Sequence, residues 1–569
     1  MVIEEPQPAV ASQQDWRSGL DPRRWPRPLL AAVPPVIVAL ALYTRTLMPG
    51  LGVWDNAEFQ AIGPVLGIAH PTGYPTYTLV AWLASVVLQP FGDAALRANL
   101  MSALLVAGAV GLIAGTVTML TRRIVAGAAA GLALAVAPRA WDVGLAADPH
   151  ALHVFFVALL LAMLARWMRQ RDAGAAHADR WLVAAAAVYG LSLGNHALTL
   201  LLAPGIGLFV VLAAPELLRR PKMLVTCAAA VALTTVAVYA YLPIRSAMDP
   251  PLDYANPQHW QILDASGNVT GGFAYLVFGE QFRGTFGEMP ADALDRILRS
   301  VGSLNLLALL APLGAVFLLL RRPPLLVLLL AWFAVTWYFS LTYINAAIER
   351  YYLGPLATVA VLGGLGAAGL IDLALRAHPL DRLASAGRRI RQGVPEVSRS
   401  ALWRSAGRAG SAAEARYGLR SMDRFTVGLL VALVLLVPIA LSVPSTMVQV
   451  DQSSNTDGRR WVDSVLPQLE QDAVIVSWWS FSTPLWYAQF VEGTRPDVLV
   501  VDDRTMLDEQ LGTAEDVINL YLGQRPVYLI RLDRDLPYYE ERFEMELVEG
   551  VLPMGGGEVY RIVGRFDEG

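Results

Sequence analysis

The sequence predicts a polytopic α-helical membrane protein with about eleven transmembrane helices and an α/β domain at its C-terminal end. Three observations predict it. Only 16% of the 569 residues are charged and 55% are hydrophobic, where ordinary soluble domains carry about 25% charged residues. Apolar runs of roughly twenty residues, the length needed to cross hydrocarbon, recur along the chain. Beyond residue 445 the composition turns mixed and alternates strand-like with helix-like segments.

Residues 1–27 begin "MVIEEPQPAVASQQDW", without the basic start or cleavage site of a signal peptide, and are expected to form a disordered cytoplasmic tail. The transmembrane unit is expected over 28–443. Its spans fall near 28–46, 98–120, 124–138, 150–168, 181–195, 197–214, 223–242, 302–320, 324–343, 352–375 and 425–443. Arg17, Arg23, Arg24 and Arg27 precede the first span, which places the N-terminus in the cytoplasm.

The run 76–90, "TYTLVAWLASVVLQP", decides the remaining topology. Counted as a span, it would put Arg122/Arg123, Arg166/Arg169/Arg171 and Arg321/Arg322 outside. Left uncounted, all of these fall inside with Arg219, Arg220 and Lys222. It is also short for a span, so it reads as an interfacial or re-entrant helix. The outer loops are then 47–97, 139–149, 243–301 and the short 344–351. The cytoplasmic linker 376–424 holds eleven Arg against four acidic residues, which suits anionic headgroups rather than nucleic acid.

Residues 445–569 form the extracytoplasmic α/β domain. Strands are expected at "DAVIVS", "DVLVVDD", "PVYLIR" and "EVYRIV", and helices at "RRWVDSVLPQLE" and "AEDVINLYL". A single cysteine, Cys227, allows no internal disulfide. Lys222 is the sole lysine in an Arg- and Ala-rich chain, a composition of GC-rich bacterial genomes. The expected location is a bacterial cytoplasmic (inner) membrane, with the lipid itself as the first partner.

Polar residues beside a membrane mark function by default. Asp55 and Glu58, in "WDNAEF", stand at i and i+3 and would share a helix face. Either a carboxylate accepts a proton from an acceptor hydroxyl, or Asp55 merely caps a short helix. His70 and Tyr74 lie in "AHPTGYP", whose Pro and Gly fix a tight backbone; His70 binds substrate or holds the loop. Asp148 and His150, in "AADPHALH", open a span, where Asp148 also reads as an N-cap before Pro149. Asn195 and His196 break the apolar stretch 181–214 at a hairpin tip. Arg245 and Arg350 lie outside, against the positive-inside trend, where a guanidinium suits a lipid-linked phosphate; Arg350 alternatively pairs with Glu349. Asp502 and Asp503, in "VVDDR", resemble the metal-holding acidic pair of nucleotide-sugar enzymes, but on the outer side they read as a solvated strand end. Walker loops, HExxH, CxxC pairs and GxSxG are absent.

Taken together, the motifs resemble the protein O-mannosyltransferase-like family of polytopic membrane proteins, the group that includes the O-mannosyltransferase of plexin-type receptors. The resemblance rests on "WDNAEFQAIGPVLGIAHPTGYPTYTLVAWLA", "DPHALHVFFVALLLAMLARW", "YGLSLGNHALTLLLAPG", "YLPIRSAMDPPLDYANPQHW" and "SWWSFSTPLWYAQFVEGTRPDVLVVDD", in that order. The passage after the acidic loop is similar to that of other class C glycosyltransferases, where it lies along the membrane surface.

The resemblance implies a membrane glycosyltransferase of class C fold that moves a sugar from a polyprenyl-phosphate donor to a protein or glycan acceptor on the outer face. Asp55 would be the catalytic base and Glu58 the second acidic position. His70, Tyr74, Asp148, His150, Asn195, His196, Arg245 and Arg350 would bind donor or acceptor. No cofactor is certain; a divalent metal is possible but not indicated, and no nucleic-acid partner is expected. Where the family tends to show a Glu-Val-Tyr-like triplet this chain has Asp148-Pro149-His150, so its donor or acceptor is open to differ. Two other readings remain: a transporter or flippase of lipid-linked sugar, and a non-catalytic envelope-assembly protein.

Overall fold

The computed structural model describes residues 26–256, 262–263, 267, 269–282, 284–345, 347–377, 411–555 and 557–566. Most of the expected tail 1–27 and residues 378–410 of the Arg-rich linker lie outside the described residues. Along the chain, α1 (Arg27–Thr46) is followed by two helices of the first loop, α2 (Asp55–Val65) and α3 (Pro75–Val87). Then come α4 (Ala94–Thr121), α5 (Ile124–Val136), α6 (Pro138–Val143) and α7 (Pro149–Asp172).

Seven described helices are long and apolar enough to cross a membrane: α1, α4, α7, Pro221–Ser246, Pro323–Thr342, Ile348–Ala374 and Gly428–Val450. The expected span 302–320 belongs to a pair, Ala293–Gly302 and Leu306–Arg321, bent by 100° between them. The other three expected spans are shorter apolar helices: α5, Arg180–Leu193 and Ala197–Ala213. Composition marked these segments correctly as apolar helices but not where each one breaks. Asn305, in the left-handed region at φ 57°, sits in the break before Leu306. The last long helix runs on to Val450, past the expected end at 443.

The run expected as an interfacial helix forms α3, of 13 residues. It buries Tyr77, Thr78, Ala81 and Ala84, and exposes Leu79, Trp82, Leu83, Val86 and Val87. Such a one-sided apolar face on a short helix suits an apolar surround.

The arginine-bearing turns meet at the opposite end of the bundle from the first loop. Arg171 pairs with Glu216, Arg322 with Asp172 and Arg220 with Asp179. Small residues let the helices close in: a methyl at Gly363 or Gly366 would run into the Leu307 and Leu310 carbonyls of the neighbouring helix.

Within 243–301 a two-stranded antiparallel ribbon pairs β1 (Ile262–Leu263) with β2 (Val269–Gly271). The C-terminal sheet has order β4-β3-β5-β7-β6. Its strands are β3 (Val474–Val476), β4 (Leu499–Val501), β5 (Val527–Leu532), β6 (Phe543–Leu547) and β7 (Gly557–Arg565). β4, β3 and β5 run parallel, and β5, β7 and β6 antiparallel. The four expected strands are all present. β6 was not expected, although "FEMEL" alternates apolar with charged residues; it is an edge strand, and Glu544 and Glu546 suit an unpaired edge.

This domain packs directly on the first loop. One core joins Phe59, Ile68 and Tyr77 of the loop to Trp461, Ile475, Phe481 and Tyr528 of the domain. The Ala95 backbone N–H donates to the Tyr487 hydroxyl at 2.9 Å. Gly458 lies against the Gly52 carbonyl with no room for a methyl group. Gly458→Ala is therefore expected to destabilise the folded protein by about 1–3 kcal/mol, the cost of overpacking a filled contact. The check is a lowered melting temperature of the purified protein together with lost protection of loop 50–60 in hydrogen exchange.

Candidate functional site

The first loop is built before the site is. Gln60, on α2, accepts from the Gly52 N–H (2.9 Å) and donates to the Gly50 carbonyl (3.1 Å) and to Asn99 Oδ1 (2.9 Å). Asn99, on α4, donates to the Met48 carbonyl (3.0 Å) and accepts from the Ala147 N–H (2.9 Å). Asn56 donates to the Ala147 carbonyl (2.8 Å). Both Gln60 and Asn99 are fully buried. Together they fix the start of α2 against the segment that leads into α7.

α2 begins after Trp54, a non-glycine residue at φ 55°. Asp55 stands in its first turn, where a carboxylate is favoured by the helix dipole, and its side chain is 39% exposed. Its side chain is not the N-cap, a place taken by Trp54 without a side-chain bond. The helix ends at Leu66, and Gly73 at φ 83° turns the chain into α3 at a spot where Leu242 and Leu276 leave little space.

A cavity of about 300 Å³ opens beside Asp55. Six of the expected site residues line it: Asp55, His70, Tyr74, His150, His196 and Arg350. Arg350 Nη1 stands 3.6 Å from Asp55 Oδ2 and 3.3 Å from Asp148 Oδ2. Arg350 does not pair with Glu349, which is held by Arg139. The His150 and His196 rings lie 4.7 Å apart, tilted at 52°, and Tyr351 closes on both at 5.0 and 5.5 Å. His150 Nε2 is buried and has no hydrogen-bond partner among the described residues. Phe282, Phe286, Phe339 and Tyr343 complete an aromatic wall.

The other four expected residues, Glu58, Asp148, Asn195 and Arg245, do not line this cavity and stand one layer behind. Glu58, at 0% exposure, is turned away from Asp55. Its two oxygens take the His70 N–H and Nδ1, each at 2.7 Å. Asp148 does cap α7: Oδ1 accepts from the His150 N–H and lies 2.8 Å from His150 Nδ1, while Oδ2 faces Arg350. Asn195 donates to the Pro149 carbonyl at 3.0 Å. Arg245 faces the end of α2, donating to the carbonyls of Leu66 (2.7 Å) and Val65 (3.0 Å). It therefore satisfies helix-terminal carbonyls rather than lining the cavity.

Burial pushes the His70 imidazole down, but the Glu58 carboxylate outweighs it and raises the group to about 9. Burial pushes Asp148 up, yet Arg350 and then His150 hold it below the usual carboxylate range. Near neutrality His70 is a cation paired to Glu58, and Asp148 an anion tied to Arg350.

Residues without a sequence signal also build the site. Tyr351 lies next to Arg350 in "IERYYLGP", and that adjacency was the one available hint. Trp479 reaches in from the C-terminal domain, its ring 5.7 Å from His70. Among the described residues no group of three His, Cys, Asp or Glu side chains is placed to hold a metal ion.

Residues 55–218 match the family model described as the N-terminal domain of protein O-mannosyl-transferase TMEM260. The mouse (Mus musculus) protein O-mannosyl-transferase TMEM260 is 27% identical over 578 aligned positions, covering 96% of this chain and 69% of that protein. Among solved structures, apo ArnT from Cupriavidus metallidurans matches with TM-score 0.58 at 14% identity, over 93% of this chain and 97% of that one. ArnT bound to undecaprenyl phosphate gives 0.56 at the same identity and coverage. The oligosaccharyltransferase of Archaeoglobus fulgidus gives 0.51 at 12% identity, over 94% of this chain and 75% of that one. At such identities the likeness to solved structures is one of fold, and the fold is that of class C glycosyltransferases. The family model begins at Asp55 and includes His70, Asp148, His150 and His196, but ends before Arg245 and Arg350.

The pair His70–Glu58 makes the loop pH-sensitive. Because His70 is raised above its ordinary 6.5, its stabilising contribution is complete below about 6.5 and is lost as pH rises through about 9. The melting temperature of the wild type is expected to fall over that window, and to fall less in His70→Gln. Equal alkaline losses in both proteins would contradict the assignment.

Proposed function

We propose that this chain, a class C glycosyltransferase of the protein O-mannosyltransferase-like kind, moves a sugar from a polyprenyl-phosphate donor to a hydroxyl acceptor on the outer face of a bacterial cytoplasmic membrane. One observation carries the reading. A carboxylate and a guanidinium, Asp55 and Arg350, stand 3.6 Å apart on the wall of a cavity that imidazoles and aromatic rings also line. Transfer from a sugar phosphate needs a base for the incoming hydroxyl and a cation for the departing phosphate.

In this reading the acceptor oxygen attacks the anomeric carbon, and Asp55 takes its proton. The bond between the anomeric carbon and the phosphate oxygen breaks, and its electron pair leaves with the polyprenyl phosphate. Arg350 takes that charge with two parallel N–H donors. A phosphate on Arg350 also competes with Asp55 for the guanidinium, which frees the carboxylate to act as base. Asp148 holds Arg350 and His150 in place from behind, and His150 Nε2 meets a hydroxyl of the sugar. The aromatic wall offers flat faces to the sugar ring and the isoprenoid. Glu58, Asn195 and Arg245 position the loop rather than touch substrate. His70 stands at the cavity with Glu58 behind it, where it contacts donor or acceptor.

The orientation follows from the arginine-bearing turns, which gather at the end opposite the site and belong on the cytoplasmic side. The unit 28–443 then supplies the transferase and residues 445–569 an outer α/β domain. ArnT, solved with undecaprenyl phosphate, supports the donor class through the shared fold. The O-mannosyl-transferase relative supports a protein acceptor.

The test is transfer from a panel of radiolabelled polyprenyl-phosphate sugars in membranes carrying wild type or Asp55→Asn. Wild type is expected to label an acceptor, and Asp55→Asn to lose about 10²–10⁴ of the rate, the scale of a general base. Equal transfer by both proteins would remove Asp55 from the mechanism. Label that changes leaflet without transfer would make the protein a flippase. Arg350→Lys keeps the charge but loses the planar fork, so it is expected to raise the KM for donor and lower kcat about tenfold or more.

A further inference from the structure

A second cavity, of about 500 Å³, lies between the segment 246–256 and the C-terminal domain. Its size falls within the roughly 300–1,000 Å³ of ligand pockets. Five carboxylates line it, Asp249, Asp253, Asp502, Asp508 and Glu509, against one guanidinium, Arg504. Arg504 is held by both oxygens of Asp508, at 2.7 and 2.9 Å. Asp253 is engaged by Ser246 and by the Ala255 and Asn256 N–H groups.

Asp502 differs from the others. It is fully buried, where the sequence suggested a solvated strand end. Its Oδ1 accepts from the Thr505 N–H and hydroxyl, each at 2.8 Å. Its Oδ2 has no hydrogen-bond partner among the described residues, and the residue lines the cavity. A buried carboxylate oxygen left without a donor is costly, and the cavity is where a donor would come from. The cavity is large enough to admit an extended organic cation.

A short backbone bridge connects the walls of the two cavities. Ile68 N–H donates to the Leu252 carbonyl at 2.8 Å, and Tyr254 N–H returns to the Ile68 carbonyl at 3.4 Å. Two residues beyond Ile68, His70 lines the reaction cavity. A phosphate-bearing donor is repelled by a lining in which carboxylates outnumber the one guanidinium, so charge assigns this second cavity to the acceptor.

We propose that the cavity between residues 246–256 and the C-terminal domain is an acceptor subsite that takes the cationic side chain of an arginine or lysine lying a few residues from the modified hydroxyl. This rests on the transferase reading above. Burial holds Asp502 up to about 6, with Asp503 adding and Arg504 opposing. Burial likewise holds Asp508 up to about 7, with Asp502 and Asp253 adding and Arg504 opposing. A cation bound there therefore loses affinity as pH falls through that range and Asp502 and Asp508 take up protons.

The experiment titrates the full chain in nanodiscs with a fluorescent peptide carrying one Thr and a nearby Arg, and with its Arg→Ala twin. The Arg peptide is expected to bind about tenfold or more tighter, the scale of a charge-assisted hydrogen bond. Asp502→Asn keeps the oxygen that Thr505 needs and is expected to abolish that preference. Asp249→Asn with Glu509→Gln, at the exposed mouth, weakens it without touching the core. Equal binding of the two peptides overturns the proposal, as does a preference that survives in every variant. So does displacement of the Arg peptide by an amino-sugar glycan or by calcium alone. Cavity-dependent binding of the Arg peptide without sugar transfer would uphold the subsite and refute the transferase reading. Transfer that ignores the arginine would do the reverse.

Discussion

Two buried amides, Gln60 and Asn99, hold the site end of the protein together. Neither carries a charge, and neither touches the reaction cavity. Between them they satisfy the backbone of Met48, Gly50, Gly52 and Ala147, in segments where no helix or sheet does so. An irregular chain beside a membrane cannot leave such groups unpaired. Their pairing sets where α2 starts, and hence where Asp55 stands. It also sets where Asp148 enters α7, and hence where Arg350 finds its second carboxylate.

The charges are arranged in two layers. The front layer, Asp55, His70 and Arg350, faces the cavity; the rear layer, Glu58 and Asp148, faces the front. A partly buried guanidinium or imidazolium is tolerated because a carboxylate stands directly behind it, and removing one partner of a buried pair typically costs about 3–5 kcal/mol. The two layers thus set each other's charge: Glu58 raises His70, and Arg350 holds Asp148 down. Aromatic side chains fill what remains, so the cavity offers a ligand few polar groups, each in a fixed place.

Much of the fold was legible because the bilayer imposes length and composition on every helix that meets it. The apolar segments, the short apolar helix α3 and four strands of the sheet follow from period and composition. The break near Asn305 did not, because a local backbone angle leaves no mark on hydropathy. Asp55, His70, His150, His196 and Arg350 stood out as polar residues in an apolar chain. Which of the polar residues faces the cavity was not legible, because front and rear layers use the same residue types; Glu58 and Arg245 differ from Asp55 and Arg350 only in what lies beside them. Tyr351 and Trp479 passed unseen among many other aromatics. Asp502 was read by its neighbours in sequence as solvated, whereas the segment 246–256, far away in the chain, covers it.

The contact between Ala95 and Tyr487 joins residues 392 positions apart. A nascent chain makes the loop that bears Asp55 well before the domain that backs it. Until that domain is made the loop has no rear wall, and the Gly52 carbonyl waits for Gly458. The helices between the two can be in place while the site is still unfinished, so the order of synthesis itself delays activity until the domain has docked.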